Sequence, residues 1–560
     1  MISNLYILTI YYIIIPTSLV GYGSLFFSFN DKLKISSNYG YAGLVGLILL
    51  CIYSYFSSFF IKHSETHNLI IVAIGLISFL YFNLKRNDQN KILFLFLLIY
   101  FVGFLIFKTH DDFPYYHFKY TYYLTQMPSA IGIGNFNLGF RTPSSIFYLN
   151  SLFYLPFVKY FMFQMAAFSI FLFSNIIIFN KIIKISSIRH YNFLTFFYLL
   201  SFIFINIFFY RISEHGTDRS AQVLVLILIG EILIFINFKS LEEKVLSKLF
   251  LLTALIISLK AFYVLYMLFF IIIFIELIKR LNLKKTFLFL ISNFYIYLFL
   301  ILFSLILITN FFNSGCLIYP VSFTCFDQFI WSIPKTEVKE LNDWYEQWSK
   351  AGAGPNFRIE DSQNYIKGFN WLNNWVQIYF FTKVSDFILG LAVLTLFVLF
   401  YFAPYKQNNQ IDTKRNVRSI LLIIVILILE WFYNHPSLRY GGYCLLASYI
   451  FVIISIKIEK TKLDYKILKK RIVYMIIFSM LVFVGRNLNR TMKEYNQYTY
   501  NPFESAFFKV ENSYFNLDKK MKELKNNFDR KCGLQITDCN IDEMYGVNKF
   551  LNSYVFYLRK

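Results

Sequence analysis

The segment Lys108-Thr-His-Asp-Asp-Phe-Pro-Tyr-Tyr-His117 sets two carboxylates side by side, with a histidine on either flank. Adjacent carboxylates could hold a divalent cation, Mg or Mn, together with phosphate oxygens, and His117 could add a ligand. Asp111 or Asp112 could instead act as a general base, if its neighbours tune its pKa. A structural account competes. Asp before Phe-Pro is a common helix start, and the tyrosines from 115 onward suit a helix lying in a membrane interface. Capping explains one aspartate but not both.

Three further segments carry ionisable groups. Arg211-Ile-Ser-Glu-His-Gly-Thr-Asp-Arg219 is short and dense with them; Glu214, His215, Asp218 and Arg219 could complete a metal or phosphate site, or form a solvated turn. Lys260, in Ser258-Leu-Lys-Ala, interrupts a long apolar run and could bind an anion or snorkel to headgroups. Arg439, in Asn434-His-Pro-Ser-Leu-Arg-Tyr-Gly-Gly442, could grip a phosphate through both arms of its guanidinium, with Glu430 as an expected partner. Arg141, in Gly139-Phe-Arg-Thr-Pro, is a further candidate substrate contact. Trp344, Trp348, Trp371 and Trp375 could stack on sugars or form an aromatic belt.

The elements that must position these residues are membrane helices. The chain has 560 residues, 57% hydrophobic and only 15% charged. One soluble core could not hide that much apolar surface. Apolar runs long enough to cross the hydrocarbon layer recur throughout, without the alternation of a membrane barrel. The expected spans are 5–28, 40–61, 68–84, 92–108, 160–180, 191–210, 220–238, 249–259, 261–277, 287–310, 385–403, 419–433, 442–456 and 472–486. The fold class expected is an all-α polytopic bundle of about fourteen spans with interfacial helices.

The stretch 249–277 is too long for one comfortable span, and a lysine at mid-bilayer is costly. Splitting it at Lys260 puts every Lys- and Arg-rich loop on one side: 31–38, 85–91, 181–189, 239–248, 279–285, 406–418 and 457–471. Roughly 26 basic residues lie there, against roughly 5 in the short loops opposite. This explains the net charge of +22 as an orientation signal and argues against nucleic acid. Both termini are then expected outside. So are 109–159, 211–219, 311–384 and the tail 487–560. The remaining divisions are extra N-terminal spans over 1–91, a core over 92–310 and C-terminal spans over 385–486. The first span lacks the basic start and small-residue site of a cleavable signal peptide. Cys316 with Cys325, and Cys532 with Cys539, are expected as two small disulfide loops in an oxidising compartment. Cys51 and Cys444 lie in spans as buried thiols.

This layout resembles the GT-C glycosyltransferases, multispan enzymes that use polyprenyl-phosphate sugars, such as protein O-mannosyltransferases and the aminoarabinose transferases of lipid A. The likeness rests on Asp111-Asp112 just beyond a span, on Glu214 or Asp218 after the third core span, on Lys260 and on Arg439-Tyr440. It covers residues 92–456 by layout. Ser258-Leu-Lys-Ala matches the lysine of a Leu-Thr-Lys-Gly-Pro-like turn but lacks its Gly-Pro. Three spans precede the acidic pair, where the best-known members have one.

The resemblance implies sugar transfer from an outward-facing polyprenyl-phosphate carrier to a glycan, lipid or protein acceptor, in a bacterial cytoplasmic membrane. Asp111 or Asp112 would deprotonate the acceptor or bind metal. Lys260 and Arg439 would stabilise the departing lipid phosphate. A polymerase or ligase acting on diphosphate-linked oligosaccharides would depend on arginines instead. A transporter or flippase would need ionisable groups near mid-bilayer and broken helices there. The chain also resembles bacterial membrane proteins carrying Asn313-Ser-Gly-Cys-Leu-Ile-Tyr-Pro320, a likeness that carries no activity.

Overall fold

A computed structural model describes residues 4–186, 193–237, 243–354, 359, 361–403, 416–460, 465–532, 541–550 and 553–559. The chain is a helical bundle. In chain order the helices are α1 (Asn4–Phe29), α2 (Tyr39–Ser58), α3 (Glu65–Asn83), α4 (Asn87–Phe104), α5 (Phe118–Gln126), α6 (Ser145–Ser151), α7 (Met165–Ser186), α8 (Phe193–Phe208), α9 (Asp218–Asn237), α10 (Glu243–Leu259) and α11 (Leu268–Leu281). They continue as α12 (Leu283–Ser292), α13 (Phe294–Ser314), α14 (Lys335–Lys350), α15 (Ser362–Ile366), α16 (Leu372–Trp375), α17 (Ser385–Tyr401), α18 (Arg418–Asn434), α19 (Gly442–Glu459), α20 (Tyr465–Tyr498) and α21 (Asn516–Lys531).

Among the described residues, nine helices are long and apolar enough to cross a membrane. They are α1, α2, α3, α7, α9, α11 with the turn before it, α13, α17 with the turns before it, and α19. The other expected spans fall on α4, α8, α10, α18 and α20, which are shorter or more polar. Helices α7 and α9 are buried almost all round, whereas α1, α3, α11, α13 and α17 show apolar side chains on their outer faces. An apolar surface of that kind is stable only against lipid.

Close packing between helices uses small residues, as membrane helices commonly do. A side-chain carbon at Gly21 would strike the Gly75 carbonyl, and one at Gly46 would strike the Leu19 carbonyl. These contacts lock α1 between α2 and α3, and α2 packs in turn on α7 and α13.

The break at Lys260 is present. Helix α10 stops at Leu259, Lys260 is extended at φ −160°, and a tight turn over Ala261–Met267 leads into α11. Two contacts show that the chain reverses. Lys260 reaches Asp218 at the start of α9, and Arg280 donates to the Phe235 and Ile236 carbonyls at its end. Helices α10 and α11 therefore run antiparallel along α9. At the Arg280 end, Lys181 and Lys248 pair with the fully buried Glu231, whose Oε1 also accepts from Tyr41. Glu276 pairs with Arg280.

The opposite end carries the non-helical mass. The run after Pro114 begins as a wide helical turn over Phe113–His117 and continues as α5. It does not lie free in an interface: Tyr120 and Tyr123 are fully buried, and Tyr120 bonds Tyr148. In the tail, strands β1 (Tyr545–Phe550) and β2 (Ser553–Leu558) pair antiparallel. The Phe556 amide donates to Ile131, and Ile131 to Tyr554, tying the tail onto the first loop.

Cys316 and Cys325 form the expected disulfide at a separation of nine residues. Cys532 is disulfide-bonded as well; Cys539 lies outside the described residues. Cys51 and Cys444 are free and buried. Replacing Cys316 and Cys325 together by serine is expected to destabilise the loop after α13 by about 2–3 kcal/mol through lost loop closure. Non-reducing peptide mapping should recover the linked pair, and the double variant should melt lower; an unchanged melting temperature would show that the bridge adds nothing.

Candidate active site

Asp218 opens α9, and its carboxylate is divided between two cations. Oδ1 accepts from Lys260 Nζ at 2.5 Å and Oδ2 from Arg439 Nε at 2.9 Å. The other arm of the same guanidinium, Nη2, donates to Asp112 Oδ2 at 2.7 Å. Four residues from four separate segments thus alternate in sign: Asp112, Arg439, Asp218, Lys260. Their formal charges cancel, which is what makes such a group tolerable when partly removed from water.

Local sequence explains each placement. Asp112 precedes the Pro114 turn but makes no capping bond; its side chain turns to Arg439 instead. Lys260 sits in the extended residue between two helices, which frees its side chain to cross to α9. Arg439 lies in a tight turn ended by Gly441 at φ +107°, where a side chain would also meet the Tyr266 hydroxyl. Gln222, one helical turn after Asp218, fixes that turn: its Nε2 donates to the Arg439 carbonyl and its Oε1 accepts from the Cys444 amide. Aromatic rings wall the cluster. Lys260 Nζ lies 4.3 Å from the Tyr440 ring centre, and the Arg439 guanidinium stacks between Trp348 and Tyr440. Cations over ring faces gain further attraction.

The adjacent aspartates part company. The Asp111 side chain is 90% exposed and paired only loosely with Lys108, whereas Asp112 is 26% exposed and inside the cluster. His110 Nδ1 lies 3.7 Å from Asp112 Oδ2. Burial alone would raise the Asp112 carboxyl, yet Arg439 and His110 hold it below the ordinary carboxylate value. His117 is buried below, with Nε2 lacking a partner, and burial pushes it down to about 3. Among the described residues no three His, Cys, Asp or Glu side chains converge as a metal site. The expected set Asp111, Asp112 and His117 is therefore not gathered.

Other expected residues stand apart. Glu214 lies between Arg211 and Arg219 in a neighbouring group. His215 turns inward, donates to the Phe209 carbonyl and packs on Phe171. The 211–219 loop is largely buried, unlike a solvated turn. Arg141 is held by Glu337, Tyr319 and the Gly134 carbonyl, outside the four-residue cluster. Glu430 accepts from Asn434, not from Arg439. Trp371 and Trp375 are core residues, with Trp375 Nε1 donating to Pro436.

Sequence spacing could have supplied Gln222 and Tyr263, which sit four residues after Asp218 and three after Lys260. Tyr263 donates to the Asp218 carbonyl. Nothing local signals that Trp348, on α14, would cover Arg439.

Four buried histidines, His63, His117, His215 and His435, stay neutral. Burial lowers His63 and His117 to about 3, and His215 and His435 to about 4. Unfolded histidine titrates near about 6.5. As pH falls below that value the unfolded chain takes up protons that the folded chain refuses, so stability falls. Asp112 and Glu214, both held low, lose their contribution only at more acidic pH. The melting temperature should therefore drop steadily from pH 7 to pH 4.5. The slope should lessen in His117→Gln; a flat profile in the native protein would contradict the burial of neutral imidazoles.

No curated protein and no solved structure matches the chain. A family model described as "Domain of unknown function (DUF8201)" matches residues 4–446, a span that includes all four members of the charged cluster. The chain belongs to that family.

Proposed function

We propose that this chain is a membrane glycosyltransferase that moves a sugar from a polyprenyl-phosphate carrier to an acceptor hydroxyl at the outer face of the membrane. The carrying observation is the convergence of Asp112, Asp218, Lys260 and Arg439 at one end of the bundle, beneath Trp348 and Tyr440. Asp218 has both oxygens engaged by cations, so its role is to position Lys260 and Arg439. Asp112 meets Arg439 through one oxygen and keeps some exposure, so it is the candidate base for the acceptor hydroxyl. Arg439 and Lys260 supply positive charge where the carrier phosphate departs. A divalent cation remains part of the proposal only as a bridge between Asp112 and substrate phosphate oxygens, since the described residues gather no set of three ligands.

The reading includes about fourteen membrane crossings, with the charged cluster and both termini outside and the basic loops inside. The antiparallel α10–α11 hairpin supports that count. In whole cells, Asn282→Cys, between α11 and α12, should label only after the cytoplasmic side is opened. Labelling of intact cells would invert the orientation.

Activity separates the two aspartates. Asp112→Asn should lower transfer by roughly 10²–10⁴-fold at normal abundance, whereas Asp111→Asn should stay within about twofold. The measurement is the cell-surface glycan profile of a deletion strain carrying each variant, followed by release of polyprenyl phosphate in membranes. Full transfer by Asp112→Asn would overturn the catalytic role. Loss in Arg439→Ala with retention in Asp112→Asn would favour the polymerase or ligase chemistry instead.

A further inference from the structure

Beside the cluster lies a second charged group that the proposed transfer does not use. Arg211 Nη1 reaches one oxygen of Glu214 and Arg219 Nη1 the other, each at 2.6 Å. All three remain partly open: Arg211 is 39% exposed, Arg219 22% and Glu214 19%. Behind them, Arg486 and Arg490 rise from α20, with Arg490 in electrostatic range of Arg211 and paired with Glu494. Arg211, Arg219 and Arg490 therefore share two glutamates.

The two arginines of α20 have structural work. Arg486 donates to the Ile207 carbonyl and stacks on Tyr210; Arg490 donates to the Val102 and Leu105 carbonyls. They satisfy carbonyls at the ends of α8 and α4, which a helix terminus leaves open. Among the described residues, neither Arg211 nor Arg219 has such a bond to backbone. Two guanidinium donors in the group, Arg211 Nε and Arg490 Nε, are buried without an acceptor.

A single carboxylate is a poor match for this setting. It brings one negative charge and two oxygens to two guanidinium forks. A phosphate brings up to about two charges and three or more acceptor oxygens, in the geometry that arginine forks recognise. The location fits as well. The group sits where α8 ends and α9 begins, against the stretch of α20 where exposed Leu481, Leu488 and Met492 interleave with Arg486 and Arg490. That is the depth at which lipid headgroups lie.

We propose that Arg211 and Arg219 form a phosphate-binding site at the bilayer boundary, with Glu214 seated in it as a resident competitor. The ligand is a phosphate group carried either by an anionic lipid or free in solution. The site is separate from Lys260 and Arg439 and stands whether or not the chain transfers sugar.

The test uses the full-length protein in detergent micelles. Native mass spectrometry counts retained dioleoyl phosphatidylglycerol against dioleoyl phosphatidylcholine. The native chain should retain the anionic lipid preferentially, and Arg211→Gln with Arg219→Gln should abolish the preference. Glu214→Gln removes the competitor and should tighten retention on the order of tenfold. Inorganic phosphate that displaces the lipid marks a site open to free phosphate; a lipid that resists displacement marks a headgroup site, and either supports the proposal. Absence of preference in the native chain overturns it, as does unchanged or weaker retention in a Glu214→Gln variant of native melting temperature. If that variant melts low, Arg211→Lys decides: it keeps the charge but loses the fork, so retention should fall several-fold, and undiminished retention overturns the proposal.

Discussion

Arg439 stands between two carboxylates, and most of the architecture at that end of the bundle depends on the arrangement. Its guanidinium is planar and always charged, and it offers donors on two edges. Its Nε holds Asp218 and thereby the start of α9; its Nη2 holds Asp112 and thereby the first loop. A lysine would bring its donors together on one nitrogen, without this planar spread. Through Asp218 the same arginine is joined to Lys260, whose capture fixes the reversal between α10 and α11. One side chain therefore ties together segments that lie more than 300 residues apart.

The cluster is held from above as well. Helix α14 is pinned near its start by Glu337 to Arg141 and at its end by Lys350, which is fully buried against Glu346, the Ile366 carbonyl, Trp371 and Tyr433. Between those two anchors it lays Trp348 over Arg439. Arg141 looked like a substrate contact in the sequence, but it works as an anchor for the cover. Its burial and its three protein partners leave it little freedom to greet a ligand.

Much of the fold was legible because membranes impose few solutions. Apolar run length marks a helix at every expected span, and the cost of a mid-bilayer lysine marks the break at Lys260. The residues of the cluster were legible as types: Asp112, Asp218, Lys260 and Arg439 were all candidates. Their pairing was not. Nothing in Asp111-Asp112 says which carboxylate turns inward, because that depends on the wide turn at Phe113–His117. Glu430 is the nearest carboxylate to Arg439 in sequence, yet the carboxylates that hold it come from distant loops. Long-range ion pairs leave no local periodicity, and so sequence spacing is silent about them.

The alternation of charge along the cluster has a consequence for how the protein is made. In order of synthesis the members appear as Asp112, Asp218, Lys260 and Arg439. The running charge is then minus one, minus two, minus one and zero. Lys260 emerges with a partner already in place, which favours the reversal of its hairpin at the moment of insertion. The two aspartates, by contrast, wait with a surplus negative charge until the turn before α19 arrives. The cluster is therefore completed only when Arg439 is added, after nearly four fifths of the chain has been made.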